Sequence, residues 1–483
     1  MSRRRRNRHT SIIVALAMSL LGSTVHAQAP PAPNQPWSIP ESAIRRAGSL
    51  DAGPVEWVQK PYDLPALIDL AQRTNPETRV AWEAARAAAA GVGLAESAYL
   101  PQLTMEALGG YQQTPLPIPK NLVPKGYFVS DSREIIPSLA VKWLLFDFGR
   151  REANLEAARA DSFVANAGFT AVHHKLVLDV SQTYFALGAA RGQLRAAQKA
   201  LTTAQTVEAA TSAKRERGLV TIVALTQAQR QTAQARYSLA AAQGAERIGL
   251  ADLIAAIGIP ASTPLEVADG ADLPLPASPQ QSIAAAIKAA LAHRPDIIAA
   301  LGNVDAAEAS LKAARRAYRP SIGLSARAFQ NFGSLSSDGG PTSTVDRTGE
   351  SIMLSFSLPL FDGGERADHI AIARATLRES QADLERARDG VAQQVVHAYD
   401  GLLTSLAEYE AAETLRQAAN TSYDAAQHSY QQGVGTYTDL ATEESAVADA
   451  ERQVEDARAA AHTAAAQLAF AVGVSASATA QDP

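Results

Sequence analysis

The chain has 483 residues, of which 47% are hydrophobic and 19% charged, and it contains no cysteine. This length is sufficient for a large core, and the lack of cysteine excludes a disulfide framework, a thiolate metal site, a cysteine nucleophile and an acylated N-terminal cysteine. The formal net charge is -5, so nucleic acid is not an expected partner.

The N-terminus has the pattern of a secretory signal peptide. Five arginines precede an apolar run from Ile12 to Leu21, and Ala27 ends a small-residue cleavage pattern. Removal of residues 1–27 on export would leave a net charge of -5 - 5 = -10. The apolar run is too short to span a bilayer as an uncleaved anchor. Residues 28–61 contain seven prolines and are expected to form an extended leader.

The spacing of proline divides the remaining chain into two similar halves. Proline is absent from Ser138 to Ile259 and again from Leu360 to Asp482, and long proline-free stretches rich in alanine and glutamine are typical of helices. Short matching sequences occur in both halves at nearly constant spacing, which indicates an internal duplication. The matching pairs are Asn75-Pro76-Glu77 with Arg294-Pro295-Asp296, Tyr99-Leu100-Pro101 with Tyr318-Arg319-Pro320, and Leu145-Phe146-Asp147 with Leu360-Phe361-Asp362.

Each repeat is expected to begin with a helix of about 24 residues, between Pro76 and Pro101 and between Pro295 and Pro320. Two strands follow, because apolar and polar residues alternate over Ile322–Ala328 and Ile352–Leu360, with a similar pattern in the first half. Their length of roughly nine to eleven residues suits a tilted transmembrane strand. Residues 112–136 and 330–350 are polar or rich in glycine and proline, and are expected to be loops. Aromatic residues near the strand ends suggest an interfacial girdle; they are Tyr99, Tyr111, Phe146, Phe148, Tyr318, Phe329 and Phe361. The alternative is a pair of ordinary hairpins on a soluble core.

A long helix is predicted next in each repeat. From Gly149 to Arg217 there are 69 residues, which would form a helix of about 100 Å. Gly218 then interrupts it, and a returning helix of about 37 residues leads to Gly258. The returning helix is too short to accompany its partner throughout, so the helix that opens the repeat is expected to fill the remainder. Residues 62–270 and 271–475 are thus predicted to be two repeats of one layout, followed by a C-terminal tail, residues 476–483.

Four strands cannot close a membrane barrel, because the smallest barrels have eight, and an open sheet edge is not viable in lipid. Transmembrane strands therefore require oligomerisation. A dimer would supply eight strands and a trimer twelve, and the strand count does not choose between them.

The order and spacing of these motifs resemble the TolC-like outer-membrane efflux factors of Gram-negative bacteria, over roughly residues 62–475. The resemblance implies an α+β membrane protein: a homotrimer with a twelve-stranded transmembrane β-barrel, four strands per chain, continuous with a long periplasmic α-helical barrel. It also implies the exit duct of a tripartite efflux pump in the outer membrane, with a periplasmic adaptor and an inner-membrane transporter as partners. No cofactor is implied.

The resemblance also assigns candidate site residues. The turns between the long and returning helices match the family's periplasmic tips, where adaptors dock: Gly218, Leu219, Val220, Thr221, Gly433, Val434, Gly435 and Thr436. Asp439 matches an aspartate of the closed entrance. In a trimer it would form a ring of three carboxylates, whose repulsion is expected to raise their pKa values. Thr442 stands where the family often has a second acidic residue, and Glu443 and Glu444 follow it. A solvated acidic helix face is the alternative.

No pattern of catalytic or metal-binding residues occurs in the sequence. The nine histidines are scattered, with no spacing typical of a zinc site, and no nucleotide-binding or nucleophile motif is found. The chain is therefore expected to be neither an enzyme nor a metalloprotein. Two alternatives to an efflux duct stay open at this point: a duct for type I protein secretion, and a soluble periplasmic adaptor or scaffold of helical hairpins.

Overall fold

The computed structural model of the protein describes residues 45–46, 61–122, 124–270, 273–338 and 340–474. From Gln59 onward the chain forms one compact unit, so the two predicted repeats are parts of one body. The expected signal peptide and C-terminal tail lie outside the described residues, as does the leader apart from residues 45–46 and 61. In the described part of the chain, no helix is both long and apolar enough to cross a bilayer.

The same order of elements occurs in both halves of the chain. The first half contains α1 (Leu64–Thr74), α2 (Pro76–Ser97), β1 (Gln102–Pro117), β2 (Tyr127–Phe146), α3 (Arg150–Glu216) and α4 (Ile222–Ile257). The second half contains α5 (Ile283–His293), α6 (Pro295–Arg316), β3 (Ser321–Ser337), β4 (Ser343–Ser357), α7 (Glu365–Gln432) and α8 (Tyr437–Val472). The corresponding helices have equal or nearly equal lengths.

The long helices agree with the expectation from the sequence. α3 has 67 residues and α7 has 68, so each is about 100 Å long. Each begins immediately after a glycine with positive φ, 93° at Gly149 and 100° at Gly364, a conformation that other residues seldom adopt. The returning helices α4 and α8 have 36 residues each.

The start of each half differs from the expectation. One helix was predicted at the start of each half, whereas the structure has two, and the first of each pair, α1 and α5, was not predicted. Asn75 is extended between α1 and α2, with φ -66° and ψ 127°, because a residue before proline is sterically kept out of the helical region. Its side chain then accepts a hydrogen bond from the Glu77 N–H and caps α2.

The returning helix meets the short helices end to end, as expected. The Asn75 side-chain amide donates to the Ala256 carbonyl at 2.9 Å, and the Thr74 hydroxyl donates to the Ile257 carbonyl at 3.1 Å. Two core clusters lie at corresponding places in the two halves. The first includes Leu67, Ala71, Leu176 and Val180, and the second includes Ala286, Ala290, Val391 and Val395.

The four strands form one antiparallel sheet in the order β1-β2-β3-β4. They have 16, 20, 17 and 15 residues, longer than expected. The prediction that 112–136 and 330–350 are loops is therefore wrong for most of these residues. The hydrogen bonds between strands join backbone groups, so strand pairing continues even where the side chains become polar. Side-chain contacts accompany them, such as the Tyr111 hydroxyl donating to Asp131 at 2.6 Å and Asn331 donating to Glu134 at 3.0 Å.

Candidate functional site

The turn between α3 and α4 is a helix end with one exposed apolar side chain. Gly218 has φ +72°, and the Leu219 N–H donates to the Lys214 carbonyl at 2.9 Å, which satisfies a free carbonyl of the last turn. The Thr221 side chain accepts from the Ala224 N–H at 3.3 Å and caps α4. Leu219 is 70% exposed, so its side chain is open to solvent in the single chain.

The turn between α7 and α8 has the same design. Gly433 has φ +78°, and the N–H groups of Val434 and Gly435 both donate to the Ser429 carbonyl at 3.0 Å. A Cβ atom at position 435 would lie 3.0 Å from the Ser429 Cβ, so a larger residue there would require the turn to shift by a few tenths of an ångström. Val434 is 83% exposed, and Thr436 caps α8. Each predicted tip segment thus forms a tight turn, and their contact with an adaptor stays a prediction.

The two helical hairpins are joined close to their tips. The hydroxyl groups of Tyr430 on α7 and Thr211 on α3 are 3.1 Å apart and buried. Lys214 donates to the Tyr430 carbonyl at 3.2 Å and places its ammonium group 4.1 Å from the centre of the Tyr430 ring. The apolar part of this contact is the tip cluster, made of Val207, Ala228, Tyr430, Tyr437 and Leu440.

Asp439 lies in the first turn of α8 and is exposed. Its carboxylate accepts from the Thr436 hydroxyl at 2.7 Å and from the Thr436 N–H at 3.2 Å, while its own N–H donates to the Thr436 hydroxyl oxygen. This is a capping box. Hydrogen bonds from Thr436 lower the pKa of Asp439, and the bond from the hydroxyl has a larger effect than the bond from the backbone N–H. Within one chain, the direction is therefore opposite to the rise expected from a ring of carboxylates. The assignment of Asp439 as the gate stays a prediction.

Glu444 is a buried acidic residue on α8, and its burial was not predicted from the sequence. It is only 6% exposed, its Oε2 atom has no hydrogen-bond partner in the described part of the chain, and desolvation raises its pKa from 4.5 to about 7. The helical spacing Tyr437, Leu440, Glu444 places it on the buried stripe of α8, a signal that the sequence contained. The neighbouring Thr442 is exposed and bonds to the Thr438 carbonyl.

Titratable side chains surround Glu444 on several helices. Burial raises the pKa of Tyr423 on α7, and raises that of Tyr437 on α8 to about 12, with the Glu444 charge as the second cause in both. Glu444 also borders a cleft of about 550 Å³ between α3, α4 and α8. Polar residues lining this cleft are Gln193, Gln231, Gln234, Tyr237, Ser238, Ser445, Asp449 and Arg452.

In the half of the sheet nearer the helices, one face is mainly apolar and the other mainly polar. Successive residues of a strand point to opposite faces, so the register assigns each residue to a face. The apolar face contains Leu103, Met105, Leu139, Val141, Trp143, Ile322, Leu324, Ala326, Ala328, Ile352, Leu354 and Phe356. Several are strongly exposed, including Met105 at 80% and Ile352 at 78%. An apolar surface of this size marks contact with lipid or another protein.

The predicted aromatic girdle needs one correction. Phe329 pairs with Ser138 on the polar face, and its ring packs over the backbone of Gly349, so it does not belong to an apolar belt. Tyr99 and Tyr318 lie at the helix end of the sheet, under the guanidinium groups of Arg151 and Arg366 at 4.6 and 4.5 Å.

Each of these arginines holds the junction between strand and helix. Arg366 forms an ion pair with Asp362 and donates to the Pro359 carbonyl at 2.9 Å. Arg151 is placed similarly, 3.4 Å from Asp147, and donates to the Leu144 carbonyl at 2.7 Å. The matching Leu-Phe-Asp motifs thus supply the acid of a clamp that fixes the helices below the sheet.

In the described residues, no group of three or more histidine or acidic side chains is placed to hold a metal ion.

Comparison with known proteins identifies the family. The outer membrane efflux protein family matches residues 67–259 and 286–474, more than half of the chain. Protein CyaE of Bordetella pertussis is 29% identical over 71% of this chain and 70% of its own length. The cation efflux system protein CusC of Escherichia coli O157:H7 is 27% identical over 66% of each chain, slightly less than two thirds of its length. A crystal structure of CusC superposes with a TM-score of 0.72 at 23% identity, covering 88% of this chain and 96% of that one, which shows the shared fold.

The chain therefore belongs to the outer membrane efflux protein family, and the resemblance to TolC-like efflux factors is confirmed. It is an outer-membrane protein of a Gram-negative bacterium that extends into the periplasm, and it is not an enzyme. An outer-membrane location excludes the alternative of a soluble periplasmic scaffold.

Proposed function

We propose that this member of the outer membrane efflux protein family is the exit duct of a tripartite efflux pump, a passive channel for the export of small molecules. The observation that carries the proposal is a sheet with one exposed apolar face joined directly to helical hairpins about 100 Å long. The sheet suits lipid, and the helices are long enough to extend far into the periplasm. Energy would come from an inner-membrane transporter.

A homotrimer with a twelve-stranded barrel is part of this proposal, and the sheet edges and the family support it. Among the described residues, β1 and β4 each have one edge without a partner strand, and such an edge is not tolerated in lipid. Their lengths, 16 and 15 residues, allow β4 of one chain to pair with β1 of the next around a closed ring. Large apolar side chains are also exposed on the helices of the single chain, such as Tyr237 on α4 (72%) and Ile372 on α7 (63%). Neighbouring chains of the trimer would bury them.

The two halves are proposed to be structural repeats, residues 62–270 and 271–475, that arose by duplication. The support is the equal order of elements and the matching core positions, such as Leu176 with Val391 and Val180 with Val395. One chain then contributes two similar hairpins, so that three chains give six hairpins around the helical barrel.

The hairpin tips are proposed to dock a periplasmic adaptor, and Asp439 to form the periplasmic gate. Leu219 and Val434 are the exposed apolar anchors that such docking requires. Asp439 lies three residues beyond Thr436, so a ring of three carboxylates would stand at the entrance and prefer cations.

The test of the duct is the protein mass, corrected for bound detergent, of the mature chain extracted from outer membranes. A mass of three chains, with ion channels after reconstitution, is the expected result. A monomer that needs no detergent would refute the proposal.

The test of the tips uses the double variant Leu219→Asp/Val434→Asp and co-purification with a periplasmic adaptor from the same bacterium. We expect loss of the adaptor with an unchanged trimer mass. The matched control is Leu122→Asp, which changes an equally exposed side chain, 72%, in the β1–β2 connection at the other end of the molecule. Unchanged adaptor binding by the double variant would remove the tips from the docking site.

A further inference from the structure

The polar face of the sheet carries its charges unevenly. Among the rows of this face that pair residues of all four strands, the two nearest the helices contain two basic residues, Lys142 and Arg327, and no acidic residue. In the direction β1 to β4, these rows are Gln102, Lys142, Ser325 and Met353, and then Thr104, Ala140, Arg327 and Ser351. Acidic residues of this face, Glu106 and Glu134, lie in rows farther from the helices.

Neither basic side chain is neutralised within the described chain. Arg327 donates to the Ser138 hydroxyl at 3.2 Å and lies 5.5 Å from the centre of the Phe329 ring, which fixes the guanidinium without an acid. Lys142 has no ion pair within 4 Å among the described residues, and its side chain is exposed. On this face, the acidic residue nearest to Arg327 is Glu106, which lies two strands and one row away. The strand spacing and the rise per residue place these two positions about 12 Å apart.

A neighbouring chain would not add an acid to these rows from its β4 strand. The residues of β4 on the polar face are Ser343, Val345, Arg347, Gly349, Ser351, Met353, Ser355 and Ser357, none of them acidic. The charges of Lys142 and Arg327 therefore stay without an acidic partner from β4, whatever the register between β4 of one chain and β1 of the next.

The polar face becomes the lumen if the apolar face meets lipid, as in the duct proposed above, on which this inference rests. We infer that Lys142 and Arg327 of the three chains form a belt of six positive charges around the periplasmic end of the barrel lumen, and that this belt selects anionic solutes. Rings of basic side chains select anions by attracting them and repelling cations. The favoured cargo class is accordingly solutes with carboxylate or phosphate groups.

The belt is tested by reconstituting the full-length protein in planar bilayers and measuring the reversal potential under a potassium chloride gradient. The variant is Lys142→Gln/Arg327→Gln, and the matched control is Arg133→Gln, which removes one positive charge from the opposite face of β2. We expect the ratio of chloride to potassium permeability to fall severalfold in the double variant and to be unchanged in the control. The change should shrink at high salt, because screening shortens the range of the field to a few ångströms.

A second readout is block by pyrophosphate added at the extracellular side. It should reduce the wild-type current and lose most of its effect in the double variant. If channels of ordinary conductance form and neither readout differs between the wild type and the double variant, the belt is refuted while the duct stands. An equal shift in the Arg133→Gln control would also refute the belt, since the effect would then come from total charge. If no variant and no wild type forms channels, the proposed duct itself fails.

Discussion

The buried carboxyl group of Glu444 makes the packing of the hairpin tip dependent on pH. Its pKa in the folded chain is about 7, compared with an ordinary value of 4.5. The folded state therefore holds the proton more tightly than the unfolded state. Stability from this group is fully present below about pH 4.5 and is lost as pH rises through about 7.

The size of the effect follows from the pKa values. At 1.36 kcal/mol for each pKa unit, a rise from 4.5 to about 7 corresponds to about 3 kcal/mol. Water in the adjoining cleft screens part of this, so we expect about 2 kcal/mol. Replacement by glutamine keeps the shape and removes the charge. Glu444→Gln should thus stabilise the start of α8 at about pH 8 by about 2 kcal/mol and have little effect at about pH 5.

The assay is hydrogen exchange of the trimer in detergent, followed by mass spectrometry and corrected for the intrinsic pH dependence. Between about pH 5 and pH 8, residues 437–450 of the wild type should lose about 30-fold in protection, since a tenfold change corresponds to 1.36 kcal/mol. Glu444→Gln should remove that loss. Residues 222–235 of α4, which occupy the corresponding place without a buried acid, serve as the internal control, and Glu443→Gln is the matched variant. Equal pH dependence in the wild type and Glu444→Gln would refute the reasoning.

Three further predictions concern the gate, the hairpin contact and the junction clamp. Asp439→Ala should increase single-channel conductance and weaken block by divalent cations; unchanged values would remove Asp439 from the gate. Tyr430→Phe removes the hydroxyl contact with Thr211, which should cost about 1 kcal/mol and speed hydrogen exchange in both tips; the exposed Tyr237→Phe is the control, and equal effects would contradict the assignment. Arg366→Gln removes the ion pair with Asp362 and the hydrogen bond to the Pro359 carbonyl, and should destabilise the trimer by about 2 kcal/mol. A thermal unfolding curve equal to that of the wild type would refute the clamp.

The helices were predictable from the sequence because their signals are local. Long proline-free stretches and glycines at the reversals set the limits of α3, α4, α7 and α8 to within a few residues. The starts of α2 and α6 at Pro76 and Pro295 were predicted, but the short helices α1 and α5 that precede these prolines were missed. The lengths of the strands were underestimated for a different reason. Farther from the helices their side chains are polar, and only backbone pairing keeps residues such as Asp131 and Ser132 in the sheet.

The site was less predictable because its properties depend on packing between distant segments. Tyr430 and Thr211 are 219 residues apart in sequence, and nothing local signals their contact. Glu443 and Glu444 are adjacent acidic residues in the sequence. Only the position of Glu444 on the buried stripe of α8 distinguishes it from Glu443. The shift of a pKa depends on the surroundings that the fold supplies, which a sequence pattern does not contain.

Opposite charges stand at two levels of the proposed duct, the periplasmic tip and the base of the sheet. Asp439 lies at the tip of α8, while Lys142 and Arg327 lie at the base of the sheet. α7, which connects these two levels, has 68 residues, so they are about 100 Å apart. Fields in physiological salt decay over about 8 Å, so the two levels cannot influence each other electrostatically. Charge changes at the gate and at the belt should therefore have additive effects on ion selectivity. A non-additive result in the combined variant would require a conformational link along the helices, and would show that the gate responds to the barrel.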